Sequence, residues 1–272
     1  MRPGIENASK RRAAVAGLFY PDDPVQLRES VDQYLRTAPR DYLRPPPKAL
    51  IVPHAGYIYS GSVAASAYAA IETRRDEIRR VVLIGPSHRV PLHGIAAPRA
   101  DVFETPLGTV PIDREWRAML IASGEVMSAD APHAQEHCLE VQLPFLQSLL
   151  SEFVLLPLVA GDATPEHVGS VLDRVWGDRE TLVLISSDLS HYHSYETALR
   201  IDAATSDLIR QLSPTLSGEQ ACGSVCINGL LFLAKQRRMQ LHELSRMNSG
   251  DTAGDRRRVV GYGAFAVATG ES

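Results

Sequence analysis

Four short runs of the chain are almost wholly apolar: Ala49–Val52, residues 81–85, residues 154–159 and Thr181–Ser186. Each is aliphatic and rich in β-branched residues, and each gives way to polar, Gly or Pro residues. A strand covered on both faces shows no polar alternation, so these runs predict interior strands of a mostly parallel sheet. Elsewhere the spacing is helical. Leu27, Val31 and Leu35 recur every fourth residue and predict a helix over about 24–37, closed off before Pro45-Pro46-Pro47. Helical patterns also cover 62–74, 140–150 and 164–176, and an apolar helix is expected over 227–234. A last strand, Val259–Ala268, alternates and is rich in Gly. It is expected near a sheet edge or against a closely approaching neighbour.

Strands alternating with helices predict an α/β fold with both faces of the sheet covered. No linker composition or internal repeat divides the 272 residues, so one domain over 1–272 is expected. Right-handed crossovers would then bring the C-terminal ends of the parallel strands to one edge, where α/β sheets place their ligand sites.

Composition narrows the classes. Hydrophobic residues at 44% and charged residues at 22% exclude a disordered chain. A net charge of −4 carries no general nucleic-acid footprint. No apolar run reaches the ~18–20 residues of a membrane span. The start is polar, and the short apolar stretch after it ends in Pro21-Asp22-Asp23-Pro24, so no secretory signal is expected. Cys138, Cys222 and Cys226 form neither a disulfide framework nor a zinc-finger set. A cytoplasmic, reduced protein is the expectation.

The histidines carry the chemistry. Three of the predicted strands run into Pro53-His54, Pro86-Ser87-His88 and Ser186-Ser187-Asp188-Leu189-Ser190-His191. In a parallel sheet these side chains converge, and residues far apart in sequence can then share one metal ion. A lone His in such a turn is more often a satisfied polar group; three together favour a site. A further ligand is offered by Cys222 or Cys226, just before an apolar helix whose N-terminal dipole would favour a thiolate. The competing reading of either thiol is a small buried hydrophobe.

Two other motifs compete for attention. His133-Ala134-Gln135-Glu136-His137 matches the inverted zinc-protease pattern, but Pro132 precedes it and the match is short. His137 instead pairs by spacing with Glu140, and is read as a group close to the site or facing substrate. Asn248-Ser249-Gly250-Asp251-Thr252-Ala253-Gly254-Asp255 is a polar, Gly-rich segment that either cradles an anion or is a plain connection.

Several blocks together resemble the Memo family, the protein B component of the AmmeMemoRadiSam set. They are Val15-Ala16-Gly17-Leu18-Phe19-Tyr20-Pro21, Pro53-His54-Ala55-Gly56-Tyr57-Ile58-Tyr59-Ser60-Gly61, and Gly85-Pro86-Ser87-His88. Glu136-His137-Cys138-Leu139-Glu140-Val141-Gln142-Leu143-Pro144-Phe145 and Ser186-Ser187-Asp188-Leu189-Ser190-His191 follow in the family's order. Residues 248–255 with Val259-Val260-Gly261-Tyr262 fit as well.

The resemblance implies a three-layer α/β/α sandwich around a mixed sheet, similar to the class III extradiol dioxygenases, which are non-haem iron enzymes. It implies His54 and His88 as metal ligands, and Cys222 where those dioxygenases carry Glu. It implies His191 as acid/base with Asp188 beside it, His137 as a further site histidine, and Tyr57 and Tyr59 at the pocket mouth. Iron is the implied ion, although a thiolate shifts preference toward Zn or Cu(I). One expectation is therefore a metal-dependent oxidoreductase acting on a small molecule. Others are a phosphopeptide-binding module and an accessory subunit of a radical-SAM enzyme. The chain has no cluster motif of its own for that chemistry. Homo-oligomerisation is left open, since no residue specifies it.

Overall fold

The computed structural model describes residues 8–40, 43 and 45–268. The first half of the chain runs β1 (Lys10–Arg11), α1 (Pro24–Thr37), β2 (Ala49–Val52), α2 (Tyr57–Ala69), β3 (Arg80–Pro86), β4 (Ile95–Ala97), β5 (Val102–Thr105), β6 (Gly108–Pro111), α3 (Arg114–Ala122), β7 (Met127–Ser128) and α4 (Ala131–Ala134). The second half runs α5 (Leu143–Leu149), β8 (Val154–Ala160), α6 (Pro165–Arg174), β9 (Thr181–Ser186), β10 (His191–His193), α7 (Tyr195–Arg210), α8 (Ser224–Gln236), β11 (Gln240–Asn248) and β12 (Val259–Ala268).

The main sheet has the order β10-β12-β2-β9-β3-β8-β4-β7, with β11 on the other side of β12. Its centre, β2-β9-β3-β8, is parallel throughout. β12 and β4 flank that centre in antiparallel sense. β1, β5 and β6 form a separate small sheet. Period-two alternation sorts the central side chains into two cores. Leu50, Val52, Leu182 and Leu184 join Leu27, Val63 and Leu146 of α1, α2 and α5. Ala49, Ile51, Val183 and Ile185 join Val168, Leu172 and Leu230 of α6 and α8. Helices thus cover both faces, which is why the strands lack polar positions.

The predicted helix over 62–74 is displaced. It begins at Tyr57, directly after the His54 turn, and stops at Ala69; a 3₁₀ turn follows at Glu72–Arg74. The 140–150 pattern is a 3₁₀ turn at Glu140–Gln142 that becomes α5 at Leu143, because Pro144 is tolerated only in a first helical turn. β12 lies one strand in from the edge, and its close approach comes from a side chain. A Cβ at Gly261 would fall 2.0 Å from the Asp202 carboxylate of α7.

The polar segment 248–255 is a folded turn. Asn248 and Asp251 cap each other's backbone N–H groups, Gly254 N donates to Ser249 O at 2.7 Å, and the Tyr195 hydroxyl donates to Asp251 at 2.6 Å. The N–H groups of Asn248, Gly250, Thr252 and Gly254 are thus taken up within the turn. No helix among the described residues is long and apolar enough to cross a membrane.

The register places the strand ends level. Val52 of β2 lies beside Ser186 of β9, and Pro86 of β3 beside Ala160 of β8. The three histidine-bearing segments therefore leave the sheet from one edge.

Candidate metal centre

His54 follows β2 in a turn pinned by Asp188, whose Oδ1 accepts the His54 N–H at 2.7 Å. The ring is buried, and its Nδ1 lies 3.0 Å from Ser186 Oγ. The roles in that contact follow from its neighbours. Gln142 Nε2 donates to Pro53 O and to Ser186 Oγ, both at 2.9 Å, while the Tyr68 hydroxyl donates to Gln142 Oε1. Ser186 spends its single proton on Cys138 O at 2.6 Å. Its oxygen can then only accept from His54, so Nδ1 carries the hydrogen and Nε2 keeps a bare lone pair. Burial, and then the imidazoles of His137 and His88, pull this ring well below the usual histidine range, so it is neutral.

His88 follows β3 and is oriented by Glu136. That carboxylate accepts the His88 N–H at 2.7 Å and faces the ring Nδ1 at 2.9 Å, which again leaves Nε2 free. It also accepts the backbone N–H groups of His137 and Cys138 at 3.0 and 3.1 Å. Burial alone would raise its pKa, but the imidazoles of His137 and His88 and these N–H donors hold it well below the ordinary carboxylate range. His137 stacks on His88 with ring centroids 4.7 Å apart and meets His54 edge-on at 5.2 Å.

Cys222 completes the group. Its Sγ lies 3.2 Å from His54 Nε2, and one donor atom each of His54, His88 and Cys222 falls within 4.8 Å of the others. Gly223 next to it permits this, because a Cβ there would sit 2.7 Å from Ser187 Cβ. The helix dipole does not dominate the thiol as its position before α8 suggested. Burial first, and the Asp188 charge second, push it up to about 12, so in the absence of an ion it is protonated. A second grouping, His88, Glu136 and Cys138, is also close enough. Its carboxylate is spent on four N–H donors, and its buried thiol donates to Pro86 O.

These donors line a cleft of about 690 Å³ together with Asp188, His191, His137, Phe19 and Tyr192. His191 Nδ1 donates to Leu189 O at 2.8 Å, leaving Nε2 as its basic nitrogen. The turn carrying it is tied down on both sides. Ser190 N donates to Asp202, Leu189 N donates to Gly261 O, and Gly261 N returns to Ser190 O. The next residue, Tyr192, is held at φ 62° and is 64% exposed. Asp188 lines the cleft, and burial raises its carboxyl above the usual range.

Tyr57 and Tyr59 are not among the residues that line the cleft. Tyr57 is buried among Tyr20, Tyr34 and Phe145 and donates to Val141 O at 2.7 Å, while Tyr59 packs against the same core. The spacing that pairs His137 with Glu140 also misleads. Glu140 is fully buried and turns to Arg11, the N–H groups of Ala14 and Val15, and the Tyr20 hydroxyl. The protease-like pattern dissolves because α4 stops at Ala134, and His133 faces Ala96 O at 3.1 Å. Glu136, Ser186, Gln142 and Phe19 were not singled out from the sequence. Glu136 stood in plain view beside His137, whereas nothing local marks Gln142.

Residues 11–266 match the model of the Memo-like protein family. The chain belongs to the Memo family. A MEMO1 family protein of Saccharolobus solfataricus is 35% identical over 279 residues, covering 93% of this chain and 97% of that relative. A MEMO1 family protein of Saccharolobus islandicus strain Y.G.57.14 is 35% identical over 278 residues, and that of Sulfolobus acidocaldarius 34% over 280, with the same coverage. Every residue of the cleft falls inside the span matched by the Memo model.

Proposed function

We propose that the cleft is the active site of a metal-dependent oxidoreductase, similar in fold to the extradiol dioxygenases, acting on a small molecule with an ionisable hydroxyl. The observation that carries this is the convergence of two imidazole lone pairs and one sulfur from three distant segments. Both rings have their hydrogens committed on the side away from the group, to Ser186 and Glu136, which is how ligating histidines are held. The donor set fits a borderline or soft ion, iron, zinc or copper. Bound by His54, His88 and Cys222, such an ion would supply Lewis acidity and, for iron or copper, a redox couple.

The chain's own residues do the rest. His191 holds its proton at Nδ1 on Leu189 O, so Nε2 takes a proton from the substrate hydroxyl. Asp188 fixes the His54 turn from a buried carboxylate. His137 fills the space beside His88, and Phe19 packs on His137 with centroids 4.7 Å apart, limiting water on that side.

Metal analysis of protein purified without chelators tests this reading. About one ion per chain is expected in the wild type, lost in His54→Ala and Cys222→Ser with the fold retained. A folded wild type that takes up neither Fe(II), Zn(II) nor Cu(I) contradicts it.

A second reading, an accessory subunit docking on a radical-SAM protein, is favoured by apolar side chains beside the cleft. Leu18 is 80% and Ile58 64% exposed, next to Phe19 and Tyr57, whose backbones are hydrogen-bonded to each other. Co-purification that is abolished by Leu18→Asp with Ile58→Asp would support it; capture unaffected by both would not.

A further inference from the structure

Two hollows meet at the candidate metal centre. One is the cleft; the other is a groove of about 540 Å³. His88, Arg89 and Cys222 line both. Arg89 therefore stands on the threshold; it is exposed, and among the described residues its guanidinium makes no hydrogen bond or ion pair. The acids of the cleft do not neutralise it. Asp188 takes the backbone N–H of His54, and no ion pair joins Glu219 to Arg89. An unpaired guanidinium beside a ligand cavity is a fork for a carboxylate.

The groove beyond has an apolar wall of Val90, Pro91, Leu92, Ala160 and Val225, and is also lined by Ser87 and by His93 and Asp162, whose exposed side chains pair with each other at 3.5 Å. Backbone bonds hold its wall against the end of β8. Ser87 N donates to Ala160 O at 2.9 Å, Asp162 N to Leu92 O at 2.7 Å and Gly94 N to Asp162 O at 2.8 Å. Ser87 Oγ also closes on Val90 O. A wall fixed in this way loses little freedom when a ligand settles on it.

We propose that Arg89 and this groove form a second subsite for the molecule handled in the cleft, one that selects a carboxylate carrying an apolar arm. The inference rests on reading the cleft as a metal-dependent active site. The carboxylate lies on Arg89 between the two hollows, the arm runs along Val90 and Val225, and the ionisable hydroxyl stays on the His191 side.

Calorimetric titration tests it with octanoate, butanoate, acetate and octylammonium as probes on the chain loaded with Zn(II). Affinity should rise about three- to fourfold per methylene reaching the groove. Octylammonium should bind at least about tenfold more weakly than octanoate. Arg89→Gln should remove the preference for carboxylate over ammonium at unchanged Zn(II) stoichiometry, and Val90→Trp should flatten the chain-length dependence. Equal binding of octanoate and octylammonium, a preference unchanged in Arg89→Gln, or affinity independent of chain length overturns the proposal. If the chain takes up none of Zn(II), Fe(II) and Cu(I), the reading of the cleft fails, while the same series on metal-free protein still decides the subsite.

Discussion

A ring nitrogen can hold a metal only if its hydrogen is elsewhere, and two residues remote from the ligands see to that. Ser186 accepts from His54 Nδ1 because Gln142 and Cys138 leave it no other role. Ser186→Ala should weaken metal affinity by about 10- to 100-fold in competition titrations without unfolding the chain. Unchanged affinity would show that the His54 ring is oriented by packing alone. The Cys222 thiol supplies a pH prediction. Its proton is held up to about 12, and His54 is already neutral, so binding near pH 7–9 must release that one proton. Apparent affinity should therefore tighten by about tenfold per pH unit over that window and flatten only on approach to 12. A flat profile would mean that the sulfur does not ligate. His54, His88 and Cys222 were legible because strand ends expose their positions in one dimension. Glu136, Ser186 and Gln142 were not, since what matters is the hydrogen bond each makes with residues tens of positions away.

The elements that escaped the hydrophobic pattern share a cause. α7 buries Asp202, Thr205 and Ser206 along with Ala198 and Ile209, so its inner face does not read as apolar. β11 lies at the edge with most positions only partly covered, and β4, β7 and β10 are two or three residues long. The central strands were visible for the opposite reason: both of their faces are covered. The buried polar residue on α7 has a task, since Asp202 accepts Ser190 N at 3.0 Å and leaves no room for a side chain at position 261. Gly261→Ala should cost about 1–3 kcal/mol in urea unfolding. It should also disturb the His191 turn, visible as altered chemical shifts for residues 188–193. A silent substitution would mean that α7 can shift outward freely.

Across the whole molecule, the N-terminal segment closes one wall of the site. Arg11 reaches Glu140 and the carbonyls of His133 and Glu136, and Glu140 in turn holds Ala14, Val15 and Tyr20. This buried pair links β1 to the loop that orients His88, and it carries Phe19 into the cleft. Arg11→Ala should destabilise the fold by about 3–5 kcal/mol, because it leaves a buried carboxylate without its cation. A loss below about 1 kcal/mol would reduce the pair to an incidental contact. That link was invisible in the sequence, where Glu140 looked like a partner of His137.

The central claim is that one ion is shared by His54, His88 and Cys222. X-ray absorption at the zinc edge of the Zn(II)-loaded chain tests it most directly. The account predicts one sulfur at about 2.3 Å with two imidazole nitrogens at about 2.0–2.1 Å, and loss of the sulfur signal in Cys222→Ser. A first coordination sphere of nitrogen and oxygen alone in the wild type would contradict it.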